Sequence, residues 1–215
     1  MTVTSEQPML HTPRPPSELD AVRAELLAMA AEDLRVREEL AQDGSLFDGY
    51  HPRMREVHER NAARLAAILD RHGWPGRSLV GDAAADSAWL VLQHAIGNPE
   101  LQRRGLEALT IAAQTGEAPR LQVAMLEDLI RCNEGRGQRY GTQLDWDEHG
   151  ALSPLPIEDE AGVDARRAEL GLSPLAEHVR RKRELAEQSG ERPPNDWRAR
   201  QRSKEEWLRQ TGWRK

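Results

Sequence analysis

Cysteine pairs, long apolar runs and an excess of positive charge are all missing from this 215-residue chain. The single cysteine, Cys132, cannot form an intramolecular disulfide, which is typical of proteins in a reducing compartment. No segment approaches the roughly 20 apolar residues that span a bilayer. Residues 1–16 also lack the apolar run of a secretory signal. We therefore predict a cytoplasmic protein that does not enter a membrane.

Several catalytic motifs are missing as well. The sequence contains no His-Glu-x-x-His, no Gly-x-Ser-x-Gly and neither of the glycine-rich loops that bind nucleotide phosphates. Cys132 lies on the apolar face of a predicted helix, which indicates a core residue rather than a nucleophile. We predict no resident cofactor. A divalent metal is the alternative, because His72, His94, Asp33 and Asp128 are ligand types, although their spacing matches no metal motif.

The net charge of −6 gives no general preference for nucleic acid, but the charge is unevenly distributed. Residues 179–215 contain 12 Lys and Arg against 6 Asp and Glu, so this segment carries +6 and residues 1–178 carry −12. The basic segment also contains Trp197, Trp207 and Trp213. Basic and aromatic residues together can bind single-stranded nucleic acid. The acidic body instead favours docking of this segment within the chain or across a homodimer, with the tryptophans as anchors.

Helical periodicity dominates residues 17–135. Ser17, followed by an acid three residues later, is a typical start of a helix, as is Asn98 followed by a proline. Gly73 is a typical end of a helix. The segment 83–96 is apolar on nearly all sides, which indicates a central, buried helix.

The helical pattern stops after Gly135, and residues 138–157 predict a small β-hairpin. We therefore predict a mainly α fold of five to seven helices with this one hairpin. Residues 1–16 would form a flexible start, residues 17–178 the helical domain, and residues 179–215 a helical extension.

Four motifs occur in order along the domain: HGWP (72–75), AWLVLQHA (88–95), GQRYGTQ (137–143) and VDARRAELGL (163–172). In these motifs the chain resembles a bacterial family known as domain of unknown function 6624, over roughly residues 24–178. The resemblance implies a small, mainly helical domain and no particular reaction.

Polar side chains recur on helix faces that the periodicity would bury. A buried polar group costs free energy unless it is paired, so such residues indicate either a polar core network or a ligand pocket. The positions are Asp33, Arg37, Asn61, His72, Gln93, His94 and Asp128.

His94 is the candidate for proton transfer, because an ordinary imidazole titrates near neutrality. Asp128 or Asp33 would orient it. Arg37 either forms an ion pair with Asp33 four residues earlier or clamps an anionic substrate. Gln93 would orient a substrate or satisfy a backbone group.

The remaining candidates would line the pocket. If residues 138–143 are extended, Gln138, Tyr140 and Gln143 present two amides and a phenol to a ligand. His72 has a structural alternative at the end of its helix, and Trp74 has one in core packing.

These residues support two hypotheses for the function. The first is an enzyme that acts on a small polar or anionic metabolite by general acid/base chemistry, as a hydrolase, lyase or isomerase. The second is a non-catalytic interaction module, in which the same groups form a core network and the tryptophan-containing basic segment binds a partner.

Overall fold

Helices account for most of the protein in the computed structural model, which describes residues 17–47 and 49–215. The helices are α1 (Glu18–Gln42), α2 (Pro52–His72), α3 (Arg77–Val80), α4 (Asp82–His94), α5 (Pro99–Gln114), α6 (Arg120–Asn133), α7 (Val163–Ala168), α8 (Leu175–Gln188) and α9 (Trp197–Gln210). The strands β1 (Leu144–Trp146) and β2 (Leu152–Pro154) pair in antiparallel fashion. The mainly helical fold, the small hairpin and the helical C-terminal extension are thus confirmed. The predicted flexible start, residues 1–16, lies outside the described residues.

Local sequence signals set several of the helix ends. Ser17 Oγ accepts a hydrogen bond from the Asp20 amide at 3.2 Å, and the Asp20 carboxylate accepts one from the Ser17 amide at 3.0 Å. Asn98 caps α5 through a 3.0 Å hydrogen bond from the Leu101 amide. Gly73 ends α2 with a φ of 70°, a conformation that favours glycine. These caps confirm the predicted ends. None of the helices within the described residues is long and apolar enough to cross a membrane.

α4 lies at the centre of the helical packing, in contact with α1, α2, α3 and α5. Its buried residues are small or branched: Ala84, Ser87, Ala88, Val91 and Leu92. α5 approaches closely because Gly105 has no side chain at the contact. A Cβ there would overlap the Leu92 side chain, with Cδ2 only 2.6 Å away. This packing confirms the prediction of a central, buried helix.

The apolar core forms two clusters that meet along α1. The larger includes Leu26 and Met29 of α1 and most of the buried residues of α4 and α5. The smaller contains Val36, Leu40, Met54 and Val57, with Tyr50 packed against it. Asp33 lies between Met29 and Val36 and is fully buried. A buried carboxylate therefore interrupts the core where the two clusters meet.

The C-terminal extension packs against the body of the same chain. Leu208 and Trp213, 1% and 4% exposed, belong to the larger apolar cluster. Asp145 of β1 pairs with Arg200 and Lys204 of α9 at 2.6 and 3.0 Å. The predicted domain limit at residue 178 falls inside α8, because the helix continues without a break to Gln188.

Substitution of Gly105 tests the close contact between α4 and α5. We expect Gly105→Ala to lower the free energy of unfolding by about 1–3 kcal/mol, because overpacking of a core outweighs the helical preference for alanine. Urea denaturation measures the change. Gly97→Ala is the matched control, since a Cβ at Gly97 meets nothing within 4 Å. Equal stability of the two variants would contradict the packing.

Candidate functional site

His94 and Asp33 form a hydrogen-bonded pair between α4 and α1. His94 Nδ1 lies 2.9 Å from Asp33 Oδ2 and 3.0 Å from Oδ1. The carboxylate is buried, whereas the His94 side chain remains 21% exposed. Because an ionised carboxylate only accepts hydrogen bonds, Nδ1 carries the hydrogen and Nε2 is left with a free lone pair. His94 is thus oriented by a buried anion and accessible on one side.

A second histidine, His58 of α2, approaches the same carboxylate. His58 Nε2 lies 3.2 Å from Asp33 Oδ2, although its geometry is not that of a hydrogen bond. The imidazole rings of His58 and His94 lie 5.0 Å apart between centroids. The Tyr50 hydroxyl lies 2.8 Å from His58 Nδ1. Asp33, His58, His94 and Tyr50 therefore form one polar cluster, which we call the histidine site.

The charges of the histidine site favour the ionised form of Asp33. Burial raises the pKa of the Asp33 carboxyl, but the close approach of His58, the hydrogen bond from His94 and the positive charges of both imidazoles outweigh it and hold the pKa well below its ordinary value. Burial, followed by the negative charge of Glu59, raises the pKa of the Tyr50 phenol well above its ordinary value. Tyr50 is therefore a neutral phenol. Because the Asp33 carboxylate faces His58 Nε2, the ring hydrogen of neutral His58 lies on Nε2, and Nδ1 accepts the hydrogen bond from the Tyr50 hydroxyl.

Asp33, His58 and His94 are also a set of residues that can bind a metal. Among the described residues, they form a group with one ligand atom each, all within 4.8 Å of one another. The two distances from His94 Nδ1 to the Asp33 oxygens are those of a shared hydrogen bond. A metal ion bound to both groups would take the place of the hydrogen between them. Asp33 and His94 can therefore share either a proton or, together with His58, an ion.

Asp128, the other carboxylate considered as an orienting group for His94, binds backbone instead. It accepts hydrogen bonds from the amides of Arg139, Tyr140 and Thr142 at 2.6, 3.1 and 3.0 Å, and from the Thr142 hydroxyl at 3.0 Å. These four donors occupy the acceptor positions of the Asp128 carboxylate. Asp33, not Asp128, is therefore the residue beside His94.

The segment 138–143 does not form the extended strand that would present three side chains to a ligand. It folds around Asp128, and its strand-like pairing is reduced to a single bridge between Gln138 and Ile157. The Gln138 amide donates to the carbonyls of Gln143 and Leu155 at 2.9 and 2.8 Å. The amide of Gln138 is thus occupied by backbone groups rather than free for a ligand.

A buried arginine supports this loop from the other side. Arg167, 1% exposed, donates to the Tyr140 carbonyl at 2.6 Å and to the Ser173 carbonyl at 2.7 Å. Gln143 donates weakly to the Met125 carbonyl at 3.5 Å. Loop 138–143 is therefore a structural unit held by Asp128 and Arg167.

The other predicted site residues lie in several places. Asn61 is buried and donates to the Met29 carbonyl at 3.2 Å, one turn before Asp33. Gln93 is half-buried beside His94, and its carbonyl accepts from Gln102 at 3.0 Å. Arg37 is exposed and forms no ion pair in the described part of the chain, so the predicted pair with Asp33 is absent. Asp33 points at α4, and Arg37 points to solvent.

Two predicted pocket residues lie away from these contacts. His72 Nε2 is 3.3 Å from a carboxylate oxygen of Glu18, at the end of α2. Trp74 is half-buried and packs against the larger apolar cluster. Both positions agree with the structural alternatives for these two residues.

Sequence reasoning does not select Tyr50 and His58 as site residues. His58 lies beside the apolar stripe of α2, next to the buried Val57, and this position is its only signal. Tyr50 precedes the helix in a loop, where periodicity gives no information. Both join the site only because α2 packs against α1 and α4.

The sequence model of the family of unknown function DUF6624 matches residues 20–188, and the chain belongs to this family. Its residues Asp33, His58, His94, Asp128 and Arg167 all lie within the matched range. No curated protein matches the chain, and neither does any solved structure.

The low pKa of Asp33 predicts a pH-dependent contribution to stability. The pKa of Asp33 in the folded state lies below its ordinary value of 3.8. Ionised Asp33 therefore stabilises the fold at pH values above 3.8, and this contribution is lost as the pH falls through the folded-state pKa. The difference in unfolding free energy between the wild type and Asp33→Asn should therefore shrink from about pH 5 towards about pH 2. Urea denaturation over this range measures it. Asp82→Asn, which removes an exposed aspartate, is the reference. A constant difference would contradict the assignment.

The contacts of Asp128 predict that it stabilises a loop. In Asp128→Ala, hydrogen exchange at the amides of Tyr140 and Thr142 should accelerate about ten- to a hundred-fold, because hydrogen bonds to a charged acceptor contribute about 1.5–3 kcal/mol. The NMR signals of His94 should stay in place. Glu127→Ala is the control, since Glu127 contacts only the Arg139 side chain of this loop. Displaced His94 signals without faster exchange would instead favour a role for Asp128 at His94.

Proposed function

We propose that the protein is an enzyme that acts on a small polar or anionic metabolite by general acid/base chemistry, with His94 as the proton-transferring group. The observation that supports this most directly is the pairing of a partly exposed His94 with the buried Asp33 carboxylate at 2.9 Å. A carboxylate on one ring nitrogen fixes the tautomer and leaves the other nitrogen free to accept a proton.

The proton transfer follows from the charges of the site. His94 Nε2 accepts a proton from the substrate, and the resulting imidazolium is stabilised by the ionised Asp33 beside Nδ1. The same nitrogen then returns the proton to another atom of the substrate or to a leaving group. Asp33 stays ionised throughout because its pKa is low. Hydrolysis, elimination and isomerisation all use such a step.

Two of the predicted substrate-binding residues remain part of this proposal. Gln93 is adjacent to His94 and half-buried, with its own carbonyl held by Gln102. Arg37 lies one turn after Asp33 on α1, and its exposed guanidinium suits a carboxylate or phosphate group of a substrate.

The alternative is an interaction module that binds a partner through the C-terminal extension. Its tryptophans are engaged within the chain: Trp197 Nε1 donates to the Trp146 carbonyl at 2.8 Å, and Trp213 Nε1 donates to the Ile96 carbonyl at 2.7 Å. A partner that used these residues would first have to open those contacts. This observation favours the enzyme.

Turnover of a metabolite tests the proposal even though the substrate is unidentified. A small-molecule extract is incubated with the wild type or with His94→Gln, and its composition is followed by mass spectrometry. We expect at least one polar metabolite to be consumed by the wild type, about 10²–10⁴ times faster than by His94→Gln. Asp33→Asn should be impaired on the same metabolite, and His149→Gln, at an 82% exposed histidine, should not.

The controls separate the competing explanations. Melting temperatures of all variants show whether a loss of turnover reflects unfolding. Turnover that a chelator abolishes and a divalent ion restores would favour the metal alternative. Equal composition with the wild type and His94→Gln, while both are folded, would count against the enzyme.

A further inference from the structure

The C-terminal helix α9 lies beyond the family match, which ends at residue 188, yet it contributes to the core of the domain. Leu208 is 1% exposed and Trp213 is 4% exposed, and both pack into the larger apolar cluster. The part of the chain that follows the matched range therefore belongs to the same folded unit as the histidine site.

Polar contacts hold α9 in one position. Trp213 Nε1 donates to the carbonyl of Ile96, two residues after His94. Arg214 donates to the carbonyls of Cys132 and Asn133 at 3.0 and 2.9 Å, at the C-terminal end of α6. Arg200 and Lys204 pair with the half-buried Asp145. Contacts with α6, with β1 and with the end of α4 thus fix the helix.

This position places Trp207 against the histidine site. The Trp207 ring meets the Tyr50 ring edge to face, with centroids 5.9 Å apart and an interplanar angle of 85°. The Tyr50 ring in turn stacks on the His58 ring at 5.6 Å. Edge-to-face and offset-stacked pairs are the favoured aromatic geometries. Tyr50 is therefore held on one side by His58 and on the other by Trp207.

We propose that Trp207 is a positioning residue of the histidine site, so that the C-terminal extension forms part of that site in this protein. Trp207 acts through Tyr50: it keeps the Tyr50 hydroxyl on His58 Nδ1, at 2.8 Å. That hydrogen bond leaves the ring hydrogen of neutral His58 on Nε2, which faces Asp33. The catalytic part of this inference rests on the proposed function. The effect on His58 does not.

The tautomer of His58 gives a readout that does not depend on activity. Ring-nitrogen NMR shifts of ¹⁵N-labelled histidine distinguish the two neutral tautomers at about pH 9, where an ordinary imidazole is uncharged. His58→Gln assigns the signal among the seven histidines. We expect the wild type and Trp207→Phe to show the hydrogen on Nε2. We expect Trp207→Leu, which keeps apolar volume but removes the aromatic edge, to show a mixture of both tautomers.

Two further variants keep the experiment decisive. Tyr50→Phe removes only the hydroxyl and should shift the His58 signal as Trp207→Leu does. Trp197→Phe alters the same helix away from Tyr50 and should leave the signal unchanged. A folded Trp207→Leu with the wild-type His58 signal would overturn the proposal, as would an equal effect of Trp197→Phe.

Turnover rates of the Trp207 variants distinguish the positioning role of Trp207 from the proposed enzymatic function. On the metabolite that the wild type consumes, Trp207→Leu should turn over about ten-fold more slowly and Trp207→Phe at close to the wild-type rate, because small displacements of a catalytic group reduce the rate. A shifted tautomer without any turnover in the wild type would support the positioning role and contradict the enzyme. If turnover depends on His94 but not on Trp207, and the His58 tautomer is unchanged in Trp207→Leu, the enzyme is supported and the positioning role of Trp207 is contradicted.

Discussion

The burial of one carboxylate, Asp33, determines how the helices of this protein must meet. A buried anion is costly unless hydrogen-bond donors or positive charges surround it. Here the partners come from α4 and α2, through His94 and His58, so the packing of α1 against these helices and the assembly of the site are the same event. The carboxylate also divides the apolar core into two clusters. Stability and any proton chemistry therefore depend on the same contacts.

A comparison of the fully buried Asp33 and Asp128 shows why the proposed function relies on Asp33 alone. Asp128 is surrounded by backbone amides and a hydroxyl, groups that do not exchange charge near neutral pH. Its four donors hold a loop in one conformation. Asp33 is surrounded by imidazoles, groups that can both accept and donate a proton. The same residue type, equally buried, thus holds a loop in one place and pairs with imidazoles in the other.

The sequence predicts the features that depend on near neighbours. Caps at Ser17, Asn98 and Gly73 are local interactions, and their positions are confirmed. The central position of α4 follows from its apolar composition. Periodicity also identifies Asp33, Asn61 and Asp128 as buried polar residues, because a face of a helix can be read from the spacing alone.

The partners of those residues cannot be predicted in the same way. Sequence reasoning offers Asp33 two partners, Arg37 four residues away and His94, and leaves Asp128 as an alternative partner of His94. Asp33 bonds to His94, 61 residues away, because the direction of a side chain depends on the neighbouring helix. The pattern of residues 138–143 predicts a strand. Their amides instead bond to Asp128, and a single carboxylate with four donors outweighs the pairing of a short, proline-containing hairpin.

The limit of family similarity also differs from the limit of the folded unit. The match ends at residue 188, where α8 ends, but the core continues through Leu208 and Trp213. Residues 1–178 are acidic and the remainder is basic, so the two parts attract each other. The ion pairs of Asp145 with Arg200 and Lys204 are contacts of this kind. Pairs whose cationic partner is open to solvent contribute little each. The burial of two large apolar side chains contributes more, so the extension is held mainly by the hydrophobic effect, while its charges select the surface on which it docks.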